Sequence, residues 1–173
     1  MNLIITCARH LEPETRDELK DILEEFGDSD AKISITEMSG ILTAETKLEP
    51  IEVVRKIKEI LLDEPWSIRY CLRIIPIQKL IESKIEEIEK TVTDISEQIS
   101  EGETYRISIE KRNSNLSSQE IISKIANKIK NKVSLEFPDK VVLIEILGSK
   151  TGISILKKSD VLSVEKTKRS ISE

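Results

Sequence analysis

Aromatic residues are nearly missing from this chain of 173: two Phe, two Tyr and one Trp make up 3% of it. The core must therefore be packed by branched aliphatics, under a dense shell drawn from the 34% of residues that carry charge. Glycine is also scarce, at five residues. That excludes a Walker-type phosphate loop and a dinucleotide fingerprint, which both need several glycines at set spacing. The stretch Gly148-Ser149-Lys150-Thr151-Gly152 shares residue types with a phosphate loop but not the spacing or the helix that should follow, and it reads as a hairpin turn. The single histidine, His10, has no Cys or paired carboxylate nearby and cannot build a metal site. Cys7 and Cys71 are isolated in apolar runs, which excludes a disulfide framework or zinc cluster and reads as two buried thiols. No apolar run reaches about 18 residues, so no membrane span is expected. The start MNLIITCARHLEP lacks the basic leader and long apolar core of a signal peptide. There is no Gly-x-Ser-x-Gly elbow either. The expectation is a cytoplasmic protein that is not an enzyme and carries no metal or cofactor.

Charge is present in both signs but unevenly placed. Residues 1–66 carry 16 acids against 8 bases, a net of −8; residues 67–102 carry 7 against 5, a net of −2; residues 103–173 carry 9 against 14, a net of +5. Such a division points to an anionic partner at one end and a solubilising surface at the other.

The patterning predicts alternating elements. Residues 2–7 read as a strand. Pro13 opens a helix with Leu19, Ile22, Leu23 and Phe26 on one stripe, and Gly27 ends it. Residues 32–36 and 41–45 form a hairpin, Pro50 opens a second helix, and residues 67–77 form a strand. The order βαββαβ is that of a ferredoxin-like domain. A second unit follows: a helix from a Ser83 cap with Glu86 three residues on, a strand at 104–110, a polar loop at 111–118 and a helix at 119–133. A central strand at 141–147 and a last strand at 153–156 complete it. Residues 157–173 read as a polar, weakly patterned tail.

Candidate binding residues cluster in the basic third. Lys124, Lys128 and Lys132 are spaced to share one flank of the predicted helix. Lys111 and Arg112 open the loop where the preceding strand ends, and Asn113, Ser114, Ser117 and Ser118 lead into the helix N-terminus. Together these form a corner suited to phosphate. Arg69 and Arg73 share a face of the predicted 67–77 strand, and Lys150 crowns the last hairpin. The pattern fits a polyanion such as RNA.

The series RIIPI (residues 73–77), a long helix, YRISIEKRNSNLSSQEIISKIANKI, FPDKVVLIEI (137–146) and GISIL (152–156) resembles the THUMP domain of tRNA-modifying proteins, over most of residues 67–158. The resemblance implies an α+β protein: a ferredoxin-like domain at 1–66, its last strand running to about 77, an α/β THUMP domain at 67–158, and a tail at 159–173. It implies tRNA docking, including the acceptor end, through Arg73, Lys111, Arg112, Asn113, Ser117, Ser118, Lys124, Lys128 and Lys150. Many relatives carry a fused methyltransferase, thiouridine synthase or deaminase; this chain has too few residues after the domain for one. It is therefore similar to the stand-alone adaptors that present tRNA to a separate acetyltransferase forming 4-acetylcytidine. A ferredoxin-like regulatory or oligomerisation module, binding a small molecule or a protein, is the alternative. The sequence leaves the oligomeric state open.

Overall fold

Two prolines set where the first helices begin. In the computed structural model, which describes residues 1–171, Pro13 lies in the first turn of α1 (Glu12–Glu25) and Pro50 opens α2 (Pro50–Asp63). Neither position needs the missing N–H. The Glu49 carboxylate caps α2 by accepting from the Ile51 and Glu52 N–H groups. α1 ends as expected at Gly27, whose φ of +106° is left-handed.

With β1 (Leu3–Thr6), β2 (Lys32–Ile35), β3 (Ile41–Glu45) and β4 (Arg73–Pro76), these helices complete the expected βαββαβ order. The strands pair antiparallel in the order β2-β3-β1-β4. One core packs Leu19 and Leu23 of α1 and Val53, Val54, Ile57 and Leu61 of α2 against Leu3, Ile5, Leu42 and Ile74 of the sheet. Cys7 and Cys71 lie in it as free thiols, and burial pushes both pKa values up.

Two details of this unit depart from expectation. Residues 67–72 are not strand; the backbone N–H groups of Arg69, Tyr70 and Cys71 instead donate to the Glu18 carboxylate at 2.7–3.3 Å. The segment 159–171 is also not a loose tail. It forms β9 (Leu162–Ser163), which extends the first sheet beside β4, and α5 (Val164–Ile171). Leu162 and Val164 belong to the first core. Residues 172 and 173 of the tail lie outside the described residues.

The chain thus divides into one unit of Met1–Ile77 with 159–171 and a second of Gln78–Lys158. The second contains β5 (Lys79–Glu82), α3 (Ile85–Ile95), β6 (Tyr105–Arg112), α4 (Ser118–Ala126), β7 (Lys140–Leu147) and β8 (Lys150–Leu156). Its sheet order is β5-β8-β7-β6, with β6 and β7 parallel and the other pairs antiparallel. β7 is interior and buried almost throughout, which fits its near-continuous apolar run. One face is covered by α3 and α4, through Ile88, Val92, Ile121 and Ile125 on Val142, Ile144, Ile153 and Ile155. Ser83 does not cap α3. Its N–H continues the ladder to the Ser149 carbonyl and its hydroxyl meets that of Thr151 at 2.8 Å, so Lys84 takes the cap position.

Candidate nucleic-acid interface

The strand β6 runs two residues further than its apolar alternation predicts, so Lys111 and Arg112 are its last residues rather than the start of a loop. Alternation puts them on opposite faces. Lys111 shares the face of Ile107 and Ile109, under the helices, and its ammonium donates to the Leu116 carbonyl at 2.8 Å. Arg112 points the other way. Its guanidinium lies 3.8 Å from the Glu145 carboxylate, which is 2% exposed against 34% for the arginine side chain. A guanidinium has five donors, so this contact orients Arg112 without exhausting it.

Asn113 then turns the chain with φ of +56°, a left-handed conformation that Asn tolerates through its short polar side chain. Ser117 caps α4, its hydroxyl accepting from the Glu120 N–H at 3.2 Å. Ser118 is the first helical residue. Across the sheet, Arg112 is level with Leu147 of β7, and Leu147 with Lys150 of β8. Arg112 and Lys150 therefore flank one residue, two strand spacings or about 10 Å apart. The Gly148 N–H donates to the Arg112 carbonyl at 2.9 Å, which closes the turn onto this end of the sheet.

Lys111, Arg112, Asn113, Ser117, Ser118 and Lys150 thus all lie at the carboxyl ends of β6 and β7, Lys111 on the face that α4 covers and Arg112 and Lys150 on the opposite face. That end of the sheet is an anion-attracting corner: three cations divided between its two faces, with a helix N-terminus and small hydroxyls beside Lys111. Glu120 tempers it from the first helical turn and reaches Lys124 at 4.0 Å.

The other three predicted residues are elsewhere. α4 stops at Ala126 with Asn127 as its C-cap, not at residue 133. Lys124 lies in its last turn, and Lys128 and Lys132 follow in irregular chain, so the continuous lysine flank does not form. The cause is tertiary. The Asn131 amide donates to the Ser100 and Glu103 carbonyls at 2.9 Å, which draws the chain off the helical path while Ile129 stays in the core. Arg73 lies on β4 in the first unit, outside the unit that holds the other eight. Arg69 is not on a strand with it; its guanidinium sits 5.8 Å from the Tyr70 ring centroid.

An acidic cleft belongs to the first unit. Glu14, Asp17, Glu18, Asp21 and Glu25 line a cleft of about 490 Å³ with Ile22, Ser67 and Tyr70, and its charge repels a polyanion. Among the described residues, no group of three or more His, Cys, Asp or Glu could hold a metal ion, and no helix is long and apolar enough to cross a membrane. Sequence reasoning passed over Leu135 and Phe137, which are 72% and 79% exposed. The scarcity of rings was the signal that could have singled out Phe137.

Fold and corner together define a small α/β module, with one parallel strand pair and cations at its carboxyl ends, carried on a chain with a ferredoxin-like unit. Residues 82–156 match the THUMP domain family, so this chain contains a THUMP domain. No curated protein sequence matches the chain. Among solved structures, PH1313 from Pyrococcus horikoshii Ot3 is similar at 19% identity and a TM-score of 0.66, over 91% of this chain and 55% of that one. TrmN from Thermus thermophilus is similar at 10% identity and 0.62, over 90% and 45%. A 4-thiouridine synthetase solved with RNA and bound ATP is similar at 14% identity and 0.57, over 91% and 42%. At these identities the likeness is one of fold. This chain spans 55% of the first of these proteins and less than half of the other two.

Proposed function

We propose that this chain is a non-catalytic adaptor that docks tRNA, including its acceptor end, and presents it to a separate tRNA-modifying enzyme, a cytidine acetyltransferase. The observation that carries tRNA docking is the coincidence of the THUMP match with the basic corner inside it. The adaptor role and the acetyltransferase rest on the resemblance read from the sequence. In this reading Arg112, Lys111 and Lys150 take phosphates, and Asn113, Ser117 and Ser118 complete the corner. Lys124, Lys128 and Arg73 add outlying contacts.

Anisotropy titrations with labelled tRNA test the docking. About 4–6 phosphate contacts give a slope of about −3 to −5 in log affinity against log salt. Arg112→Glu and Lys150→Glu weaken binding and flatten that slope; if both leave affinity unchanged, the corner is wrong. The adaptor role is tested by acetyl transfer to tRNA in a mixture with the purified acetyltransferase. Modification should need both proteins, and turnover by this chain alone would overturn the reading.

A further inference from the structure

Residues 133–138 leave the edge of the second sheet and return to it at the same place. The Lys132 carbonyl accepts from the Tyr105 N–H at 3.0 Å, the Ser134 N–H donates to the Tyr105 carbonyl at 2.9 Å, and the Asp139 N–H donates to the Thr104 carbonyl at 3.1 Å. Internal ties hold the excursion. The Phe137 N–H donates to the Ser134 hydroxyl at 3.2 Å, and the Arg106 guanidinium donates to the Leu135 carbonyl at 3.1 Å. The Asp139 carboxylate accepts from the Thr104 N–H and hydroxyl at 2.8 and 3.1 Å. Pro138 fixes its own φ beside them.

A loop tied down this well could have turned its apolar side chains inward. It does the opposite: Val133 is 54% exposed, Leu135 72% and Phe137 79%. The other phenylalanine, Phe26, packs against the first core with the Lys56 ammonium over its ring. Apolar side chains clustered on an ordered surface loop mark an interaction site, and pre-ordering lowers the entropy lost when a ligand arrives.

The charge beside the loop selects the ligand. Lys128, Lys130 and Lys132 lie exposed in the chain that leads into it, with Glu136 as the exposed acid between Lys132 and Phe137. Lysines next to an open ring are the elements of a single-strand site: cations for the backbone, a π face for an unstacked base. The loop is at the amino ends of β6 and β7, since Tyr105 is level with Lys140, whereas the basic corner is at their carboxyl ends. Eight residues of strand separate the two by roughly 23 Å.

We propose that residues 128–137 form a second RNA subsite, in which Phe137 stacks an unpaired base, Leu135 lines its edge, and Lys128, Lys130 and Lys132 take the adjoining phosphates. The proposal rests on the tRNA-docking reading and assigns it a place for unpaired nucleotides, apart from the corner.

The test uses the full chain with intact tRNA and with tRNA trimmed of its unpaired 3′ nucleotides. Phe137→Ala, at so exposed a position, should melt with the wild type. It should bind intact tRNA about 5- to 150-fold more weakly, the equivalent of about 1–3 kcal/mol per stacked base, with an unchanged salt slope. Trimming should weaken the wild type by a similar factor and leave the Phe137→Ala variant little changed. In a Trp66→Phe background, the indole introduced by Phe137→Trp should be quenched by intact tRNA and not by trimmed tRNA. If Phe137→Ala binds intact tRNA like the wild type while Arg112→Glu does not, the subsite is wrong and the docking reading stands. If the wild type binds no tRNA, both fall. If Phe137→Glu turns a dimer into a monomer in sedimentation, the cluster is a contact between copies of this chain, and the RNA subsite is overturned.

Discussion

Gly40 has φ of +76°, and a Cβ there would come within 2.7 Å of the Cys7 carbonyl oxygen. Both a left-handed backbone and a close approach therefore require glycine, and Gly40→Ala should destabilise the chain by about 1–3 kcal/mol, seen as a lower urea midpoint. Asp28 is another demanding position. It is 2% exposed; its carboxylate accepts from the Thr46 hydroxyl and from the Lys47 N–H at 2.9 Å and the Asp30 N–H at 3.1 Å. The Thr46 hydroxyl is the main cause holding its pKa below the ordinary aspartate range, helped by those N–H groups against the opposing effect of burial. A lowered folded pKa means stability that is present above the unfolded value of about 4 and lost as pH falls through the folded one. Asp28→Asn should lower the urea midpoint near neutrality and flatten its decline on acidification. An unchanged acid limb would remove Asp28 from that account. Nothing in the sequence marked Asp28 as buried, because its Thr46 and Lys47 partners are 18 and 19 residues away.

At the scale of elements, α4 shows what local pattern can and cannot specify. Its start was legible: Ser117 and Ser118 precede an apolar stripe, and Ser117 caps the helix. Ser117→Ala should cost about 1 kcal/mol in thermal or urea unfolding by removing that cap. Its end was not legible. Lysine and isoleucine at helical spacing continue through residue 132, but Asn131 is held by two backbone carbonyls of another segment. Asn131→Ala removes those two bonds, and we expect a lower melting temperature with exchange protection lost first across residues 127–139. The hidden strand β5 has the same cause. Lys79–Glu82 has too little apolar alternation to read as a strand, and only its pairing with β8 makes it one. At the corner, Lys111, Arg112, Ser117 and Ser118 come from one strand–turn–helix and could be placed together from sequence. Lys150 joins them only through the pairing of β6, β7 and β8.

For the molecule as a whole, the basic third is not one surface. Lys166, Lys168 and Arg169 of α5 belong to the first unit, and the Lys168 ammonium donates to the Ile68 carbonyl at 2.8 Å. Described by unit, residues 78–158 carry 13 acids against 14 bases, a net of +1; the rest of the chain carries 19 against 13, a net of −6. The attraction for a polyanion then depends on where the lysines sit within the second unit rather than on its net charge. The first unit depends on the C-terminal segment. Leu162 is fully buried in its core, and Leu162→Ala should cost about 2–5 kcal/mol in unfolding free energy. Ending the chain at residue 158 should lower the melting temperature further, because β9 and the buried face of α5 go with it. A truncated chain that melts like the full one would show that the segment adds no stability.

By itself the sequence determined the α+β class, the βαββαβ order of the first unit, the helix starts at Pro13 and Pro50, and the likeness to a THUMP domain. Each of these depends on residues near one another in the chain: a periodicity, a proline, a cap, a run of motifs. Tertiary structure alone decided where α4 stops, that β5 exists, that residues 159–171 return to the first sheet, that Arg73 belongs to the first unit, and that Lys128 lies past the end of α4. Those outcomes depend on strand pairing and on side chains meeting distant backbone. The scarcity of aromatic rings was visible from the start, but that Phe137 faces water was settled only when the core closed without it.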